Sequence, residues 1–154
     1  MSEEKTYTND EINTYLQSNL SNWYYENGWI RRKYKTSGWK GTLMVINTIG
    51  HLAEAAWHHP DISASYAFVI VKLQNHAAKG ITDKDFLLAR KIEEVVQWNP
   101  SDEDNTLEGT PEDPRFKYIN RNIWIVEKIN SLVICSNEKL KCIIISLHCT
   151  ILMH

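Results

Sequence analysis

Apolar residues recur at helical steps in three stretches of the chain, and strand-like segments lie between them. Ile12, Tyr15, Leu16 and Leu20 follow Asn9, Asp10 and Glu11, which predicts a short amphipathic helix with a polar N-cap at Asn9 or Asp10. Residues 23–36 are dense in aromatic side chains and are punctuated by Asn27-Gly28, a pair that favours a tight turn with positive φ. A two-strand hairpin is expected there. In residues 39–57, Leu43, Ile46, Ile49, Gly50, Ala53 and Trp57 recur at three- and four-residue steps and predict a core-facing helix. Pro60 stops it, because the residue before a proline is pushed out of the helical region. Residues 66–74 are rich in β-branched and aromatic side chains at strand length, residues 61–65 offer a short strand before them, and Gly80 breaks the chain. Thr82, with acids at Asp83 and Asp85, then starts a helix carrying Phe86, Leu87, Ala89, Ile92 and Val96.

This order has antiparallel connections and no βαβ repeat, so the expected class is α+β, with helices layered on one face of an antiparallel sheet. The expected domain covers residues 1–96. Residues 97–119 form an acidic, Pro-containing arm in which Phe116 and Tyr118 offer apolar surface for docking back. Residues 120–154 differ again, with many isoleucines and all the cysteines. A lineage-specific addition, an interface segment and read-through from a wrongly predicted gene end remain open for them.

Composition narrows the function classes. The 154 residues suit one domain, and a formal charge of -2 without a long basic stretch supplies no electrostatic footprint for direct nucleic-acid binding. Three cysteines, Cys135, Cys142 and Cys149, make no disulfide framework and point to a reducing compartment. The polar, acidic start Met1-Ser2-Glu3-Glu4-Lys5 lacks the character of a secretory or transit leader, so a cytoplasmic location is expected. The apolar run 142–153 is interrupted by Ser146, His148 and Thr150 and is shorter than the ~20 residues of a membrane span, so no membrane association is expected. His148 and His154 lie near the cysteines, but without a CxxC or HxxxH spacing zinc is disfavoured there.

Chemistry concentrates in four of the six histidines, His51, His58, His59 and His76, with Glu54 among them. His51, Glu54 and His58 stand three and four residues apart on one helical face, where Glu54 is placed to orient or charge-stabilise His58. His59 precedes Pro60 and leaves the helical path, and His76 arrives from the end of a strand, so two sequence-distant sources of imidazole converge on one cleft. With an unperturbed pKa of ~6.5, histidine serves as acid and base near neutral pH. Adjacent histidines at a helix end equally serve as caps or surface residues. A metal set of His51, Glu54 and His58 with His59 or His76 is a further alternative.

Spacing decides among these. Glu54, then His58-His59-Pro60, then Tyr66, His76 and Asp85, together with His76-Ala77-Ala78-Lys79-Gly80-Ile81-Thr82-Asp83-Lys84-Asp85, resembles the signature of the pterin-4a-carbinolamine dehydratases. The resemblance covers roughly residues 8–96. It implies a four-stranded antiparallel sheet with three helices packed on one face, and homodimers or homotetramers built by strand and helix pairing. It implies that His58 and His76 share general acid and base work on a pterin substrate, that His59 holds and polarises the pterin, and that neither metal nor cofactor takes part. By the same resemblance Glu54, Trp57 and Asn75 lie where substrate is bound, although Trp57 and Asn75 replace an acid and a hydroxyl residue of the best-known animal members. Trp57 is equally suited to completing the helix core, the reading favoured here, and structural roles are expected for Tyr66, as a core or interface residue, and for Asp85, as a first-turn acid. The resemblance also implies an alternative function, a non-catalytic dimerisation or assembly cofactor for a protein partner, since some relatives act as a dimerisation cofactor or, with degenerate sites, as assembly factors.

Overall fold

The sequence Asn27-Gly28 sets the first hairpin. Both residues have positive φ, 51° and 83°, as a two-residue type I′ turn requires, and they join β1 (Tyr24–Glu26) to β2 (Trp29–Lys35). The computed structural model describes residues 4–121 except 101, 102, 104 and 105. The elements run α1 (Asn9–Asn19), β1, β2, α2 (Trp39–Ala56), β3 (Asp61–Ser65), β4 (Phe68–Leu73) and α3 (Asp83–Val96). The four strands form one antiparallel sheet in the order β1-β2-β4-β3, with Arg32 opposite Val71 and Ile62 opposite Val71 marking the register. The expected α+β arrangement of three helices and a four-stranded antiparallel sheet is therefore the observed one.

Alternation in the strands decides which face is covered. Ile30, Arg32 and Tyr34 of β2 and Val69, Val71 and Leu73 of β4 are buried with Ile12, Leu16, Ile49, Phe86, Ala89 and Ile92 from the three helices. All five residues of β3 are exposed, so the strand is an open edge.

Three local expectations shift. The N-cap of α1 is Thr8, whose hydroxyl accepts from Glu11 N–H while the Glu11 carboxylate accepts from Thr8 N–H, a reciprocal box that Asn9 and Asp10 cannot make from inside the helix. Helix α2 buries Gly41, Thr42, Val45, Ile49 and Ala53, a face displaced from the expected one; Leu43 and Gly50 are exposed. The helix is apolar around most of its surface, so two phases fit its pattern, and its small residues are the ones that approach the sheet closely. Tyr66 lies neither in a strand nor in the core: with Ala67 it turns β3 into β4, is 69% exposed, and sets its ring beside Gly38.

The arm docks differently from its expected contact. Phe116 is half exposed, whereas Ile119 is 1% exposed and Tyr118 packs against the core. Ser37 N–H donates to Tyr118 O and Asn120 N–H to Lys35 O, which lays Ile119 antiparallel to Thr36. A Cβ on Gly41 would stand 2.1 Å from Tyr118 O, so only glycine admits this approach. Met1–Asn120 forms one compact unit. Cys135, Cys142, Cys149, His148 and His154, and with them all but the first two residues of the 120–154 extension, lie outside the described residues. No helix among the described residues is long and apolar enough to cross a membrane.

Candidate active site

The end of α2 places the first histidines. Trp57, the residue after the helix, adopts the left-handed conformation at φ 51° and ψ 40°, and His58 N–H then closes the helix by donating to Ala53 O at 3.1 Å. This turn ends the helix before Pro60 has to. It also swings Trp57 outward: the ring is 78% exposed and stands edge-on to His59, 5.4 Å between centroids. The core role expected for Trp57 is thus corrected, and its face is open to a ligand.

Glu54 and the two adjacent histidines sort themselves differently from the expected pairing. Glu54 Oε2 meets His59 Nε2 at 3.0 Å, not His58, because the left-handed turn rotates the chain after Ala56. His58 Nε2 instead lies 2.7 Å from Asp85 Oδ1, a carboxylate that is fully buried while the His58 side chain is 13% exposed. Asp85 Oδ2 accepts from Thr82 N–H at 2.7 Å and from the Thr82 hydroxyl at 3.2 Å, so one carboxylate both starts α3 and fixes an imidazole. Asp85 is therefore more than the structural first-turn acid expected of it.

His76 is exposed at the end of the sheet and stands edge-on to Trp29, 5.3 Å between centroids. Its neighbour Asn75 is buried and holds the loop: Oδ1 accepts from Ala77 N–H and Ala78 N–H, both at 3.1 Å, and Nδ2 reaches Thr82 Oγ1 at 3.4 Å and the Glu4 carboxylate. The side chain predicted to touch substrate is thus engaged within the protein. Through Thr82 it connects the His76 loop to the Asp85–His58 pair. Glu4 also pairs with Lys84, and the Lys84 hydrogen bond is the first cause holding the Glu4 carboxyl below its ordinary range. Glu4 is marked by no local pattern in the sequence, and Lys84 only by its place in the run from His76 to Asp85. His51 is exposed on α2. Among the described residues no group of three His, Cys, Asp or Glu is arranged to hold a metal ion, and Glu54 and His58 turn to different partners.

A cleft of about 370 Å³ opens beside His58, walled by Leu52, Ala55 and Ala56 of α2 and by Lys84, Leu87, Leu88 and Lys91 of α3. Its size and apolar walls suit a small organic ligand.

Fold and site together define a small α+β protein that presents two histidine–carboxylate pairs, one joining the end of α2 to the start of α3 and one at the end of α2, equipment suited to proton transfer. Residues 5–95 match the family described as pterin 4 alpha carbinolamine dehydratase, and the chain belongs to that family. It is similar to a protein of Aquifex aeolicus that carries the provisional name pterin-4-alpha-carbinolamine dehydratase, 43% identical over 88 residues, which cover 57% of this chain and 88% of that one. A protein of Koribacter versatilis with the same provisional name is 35% identical over 91 residues, 59% of this chain and 96% of that one. The crystal structure of a transcriptional coactivator/pterin dehydratase from Brucella melitensis superposes with a TM-score of 0.56 at 26% identity, covering 60% of this chain and 99% of that one.

Proposed function

We propose that the protein dehydrates a 4a-hydroxytetrahydropterin to the quinonoid dihydropterin and water, in recycling of a tetrahydropterin such as tetrahydrobiopterin. One imidazole takes the proton from the ring nitrogen, the other protonates the departing 4a-hydroxyl, and the electron pair of the broken N–H bond becomes the new C=N double bond. His58 and His76 have these two tasks, with Asp85 as the positioning residue behind His58. His59, backed by Glu54, and the open face of Trp57 supply contacts for the flat pterin. Asn75 acts through the loop it braces. The observation that carries the reading is the 2.7 Å contact of a partly open His58 with a fully buried carboxylate, which holds one ring nitrogen and leaves the other face of the ring to a ligand.

Stopped-flow absorbance of freshly generated 4a-hydroxytetrahydropterin, with chelator present throughout, tests this. Wild-type protein is expected to accelerate the decay; folded protein that leaves the spontaneous rate unchanged would end the enzymatic reading.

A second reading, a dimerisation or assembly module, draws on the Brucella structure being titled a coactivator as well as a dehydratase. Trp39, Leu43 and Met44 are exposed along α2, and β3 is an unpaired edge, surfaces suited to homodimers or homotetramers. Light scattering of the full chain is expected to give two or four times its 17.9 kDa mass, and a monomer at micromolar concentration would remove the proposed pairing.

A further inference from the structure

Among the described residues two of the three site histidines are held by carboxylates, His58 by Asp85 and His59 by Glu54, whereas the third, His76, is set against an indole. His76 lies in the exposed turn after β4, and the Trp29 ring stands edge-on to it with 72° between the planes. Trp29 opens β2, where alternation sends Ile30, Arg32 and Tyr34 to the helices and leaves Trp29 on the uncovered face of the sheet. Its backbone is fixed by the Asn27-Gly28 turn before it and by Gln74, whose side-chain amide donates to Gly28 O at 3.0 Å. That bond ties the turn to the end of β4, two residues before His76. The ring is fixed by a second chain of contacts. The Lys72 ammonium stands over the indole, 5.3 Å from its centroid, and pairs with Asp61 Oδ2 at 3.2 Å. Asp61 is opposite Lys72 across the sheet and follows His59 by two residues. The series Asp61, Lys72, Trp29, His76 therefore crosses three strands and joins the His59 loop to His76.

We infer that Trp29 is the positioning residue of His76, holding the imidazole in the orientation that exchanges a proton with the substrate, as Asp85 does for His58. This rests on the dehydratase reading above and adds to it a side chain from β2, a strand that supplies none of the histidines. The choice of an indole has a chemical consequence. A carboxylate orients an imidazole by engaging one of its nitrogens, whereas an aromatic contact restricts the plane of the ring and needs no hydrogen bond to either nitrogen. His76 is thereby oriented with both nitrogens left for substrate and water.

Trp29→Leu keeps an apolar side chain on the open face and removes the ring, and Trp29→Phe keeps a ring. Dehydration of 4a-hydroxytetrahydropterin is measured for both in the full chain, with and without His76→Ala. Trp29→Leu is expected to lower kcat about ten-fold with KM unchanged, and to have almost no effect in the His76→Ala background. Trp29→Phe is expected to keep most of the wild-type kcat. Proton NMR reads the contact without turnover: the His76 ring resonances, identified by their loss in His76→Ala, are expected to move in Trp29→Leu. Unmoved resonances, an unchanged kcat, a rise in KM alone, or the same drop in both backgrounds overturns the inference and leaves the dehydratase reading in place. Full activity in His76→Ala removes His76 from the reaction and the inference with it, and no acceleration by the wild type overturns both readings.

Discussion

Glu93→Ala is expected to cost about 3–5 kcal/mol of folding stability, a large part of the ~5–15 kcal/mol of a domain this size. Glu93 is the hub of a polar network inside the helix–sheet interface. Its carboxylate accepts from Arg32 Nε at 3.1 Å and from a terminal Arg32 nitrogen at 3.2 Å. It also accepts from Tyr34 OH at 2.8 Å, Trp23 Nε1 at 3.0 Å and Asn22 Nδ2 at 3.2 Å. Arg32 is 3% exposed, so removing the carboxylate strands a guanidinium in the core. Urea unfolding measures the loss as a lower midpoint with an unchanged slope. The double replacement Arg32→Met with Glu93→Leu is expected to recover only part of it, because the Trp23 and Tyr34 donors would still lack an acceptor. A Glu93→Ala cost under about 1 kcal/mol would show the network to be an ordinary surface pair.

The same network sets an acid limb. Burial pushes the Glu93 carboxyl up, but the charge of Arg32 and the hydrogen bonds from Arg32, Tyr34 and Asn22 outweigh it and hold the group below its ordinary range. Burial, and then the Glu93 charge, push the Tyr34 phenol well up, so it stays a donor to Glu93. A carboxyl whose folded pKa is depressed contributes stability above its unfolded value of about 4.3, and that stability is lost as pH falls through the folded value. Wild-type stability should therefore decline below about pH 4.3 more steeply than that of Glu93→Gln.

The network also shows where sequence reading stops. Helix and strand order followed from apolar spacing, and Asn27-Gly28 marked its turn, because these signals are local in the chain. Glu93 has no such signal: on α3 it sits beside Ile92, and only the register of β2 against the helix reveals that Arg32 and Tyr34 point at it. The site divides in the same way. The candidate histidines His58, His59 and His76 were singled out by fixed spacing, but the side chains they contact were not. One left-handed residue, Trp57, exchanged the neighbours that straight helical geometry assigns, giving Glu54 to His59 and leaving His58 to a carboxylate 27 positions away. The phase of α2 was misjudged because apolar side chains meant for the sheet and those on the open surface share one helix.

His58→Ala is expected to lower the dehydration rate by about 10²–10⁴-fold, the usual contribution of a positioned proton-transfer group, while the protein stays folded because the ring is partly open to solvent. Asp85 acts one step further back, and its two roles call for two measurements. In Asp85→Asn the side chain keeps its size, but an amide cannot offer an oxygen to both Thr82 N–H and His58, as the carboxylate does. One contact must change: either Thr82 N–H loses its acceptor, which loosens the start of α3 at about 1 kcal/mol, or the amide nitrogen turns to His58 and can donate only to the opposite imidazole tautomer, which changes the ring nitrogen left for catalysis. A structural role alone would slow the reaction by a similar factor whether or not His58 is present. A positioning role would slow it only where there is an imidazole to position. Comparing Asp85→Asn in the wild-type and His58→Ala backgrounds separates the two. The expected result is a large drop in kcat in the first background, almost none in the second, and the same loss of stability in both; equal drops in kcat would confine Asp85 to the helix cap.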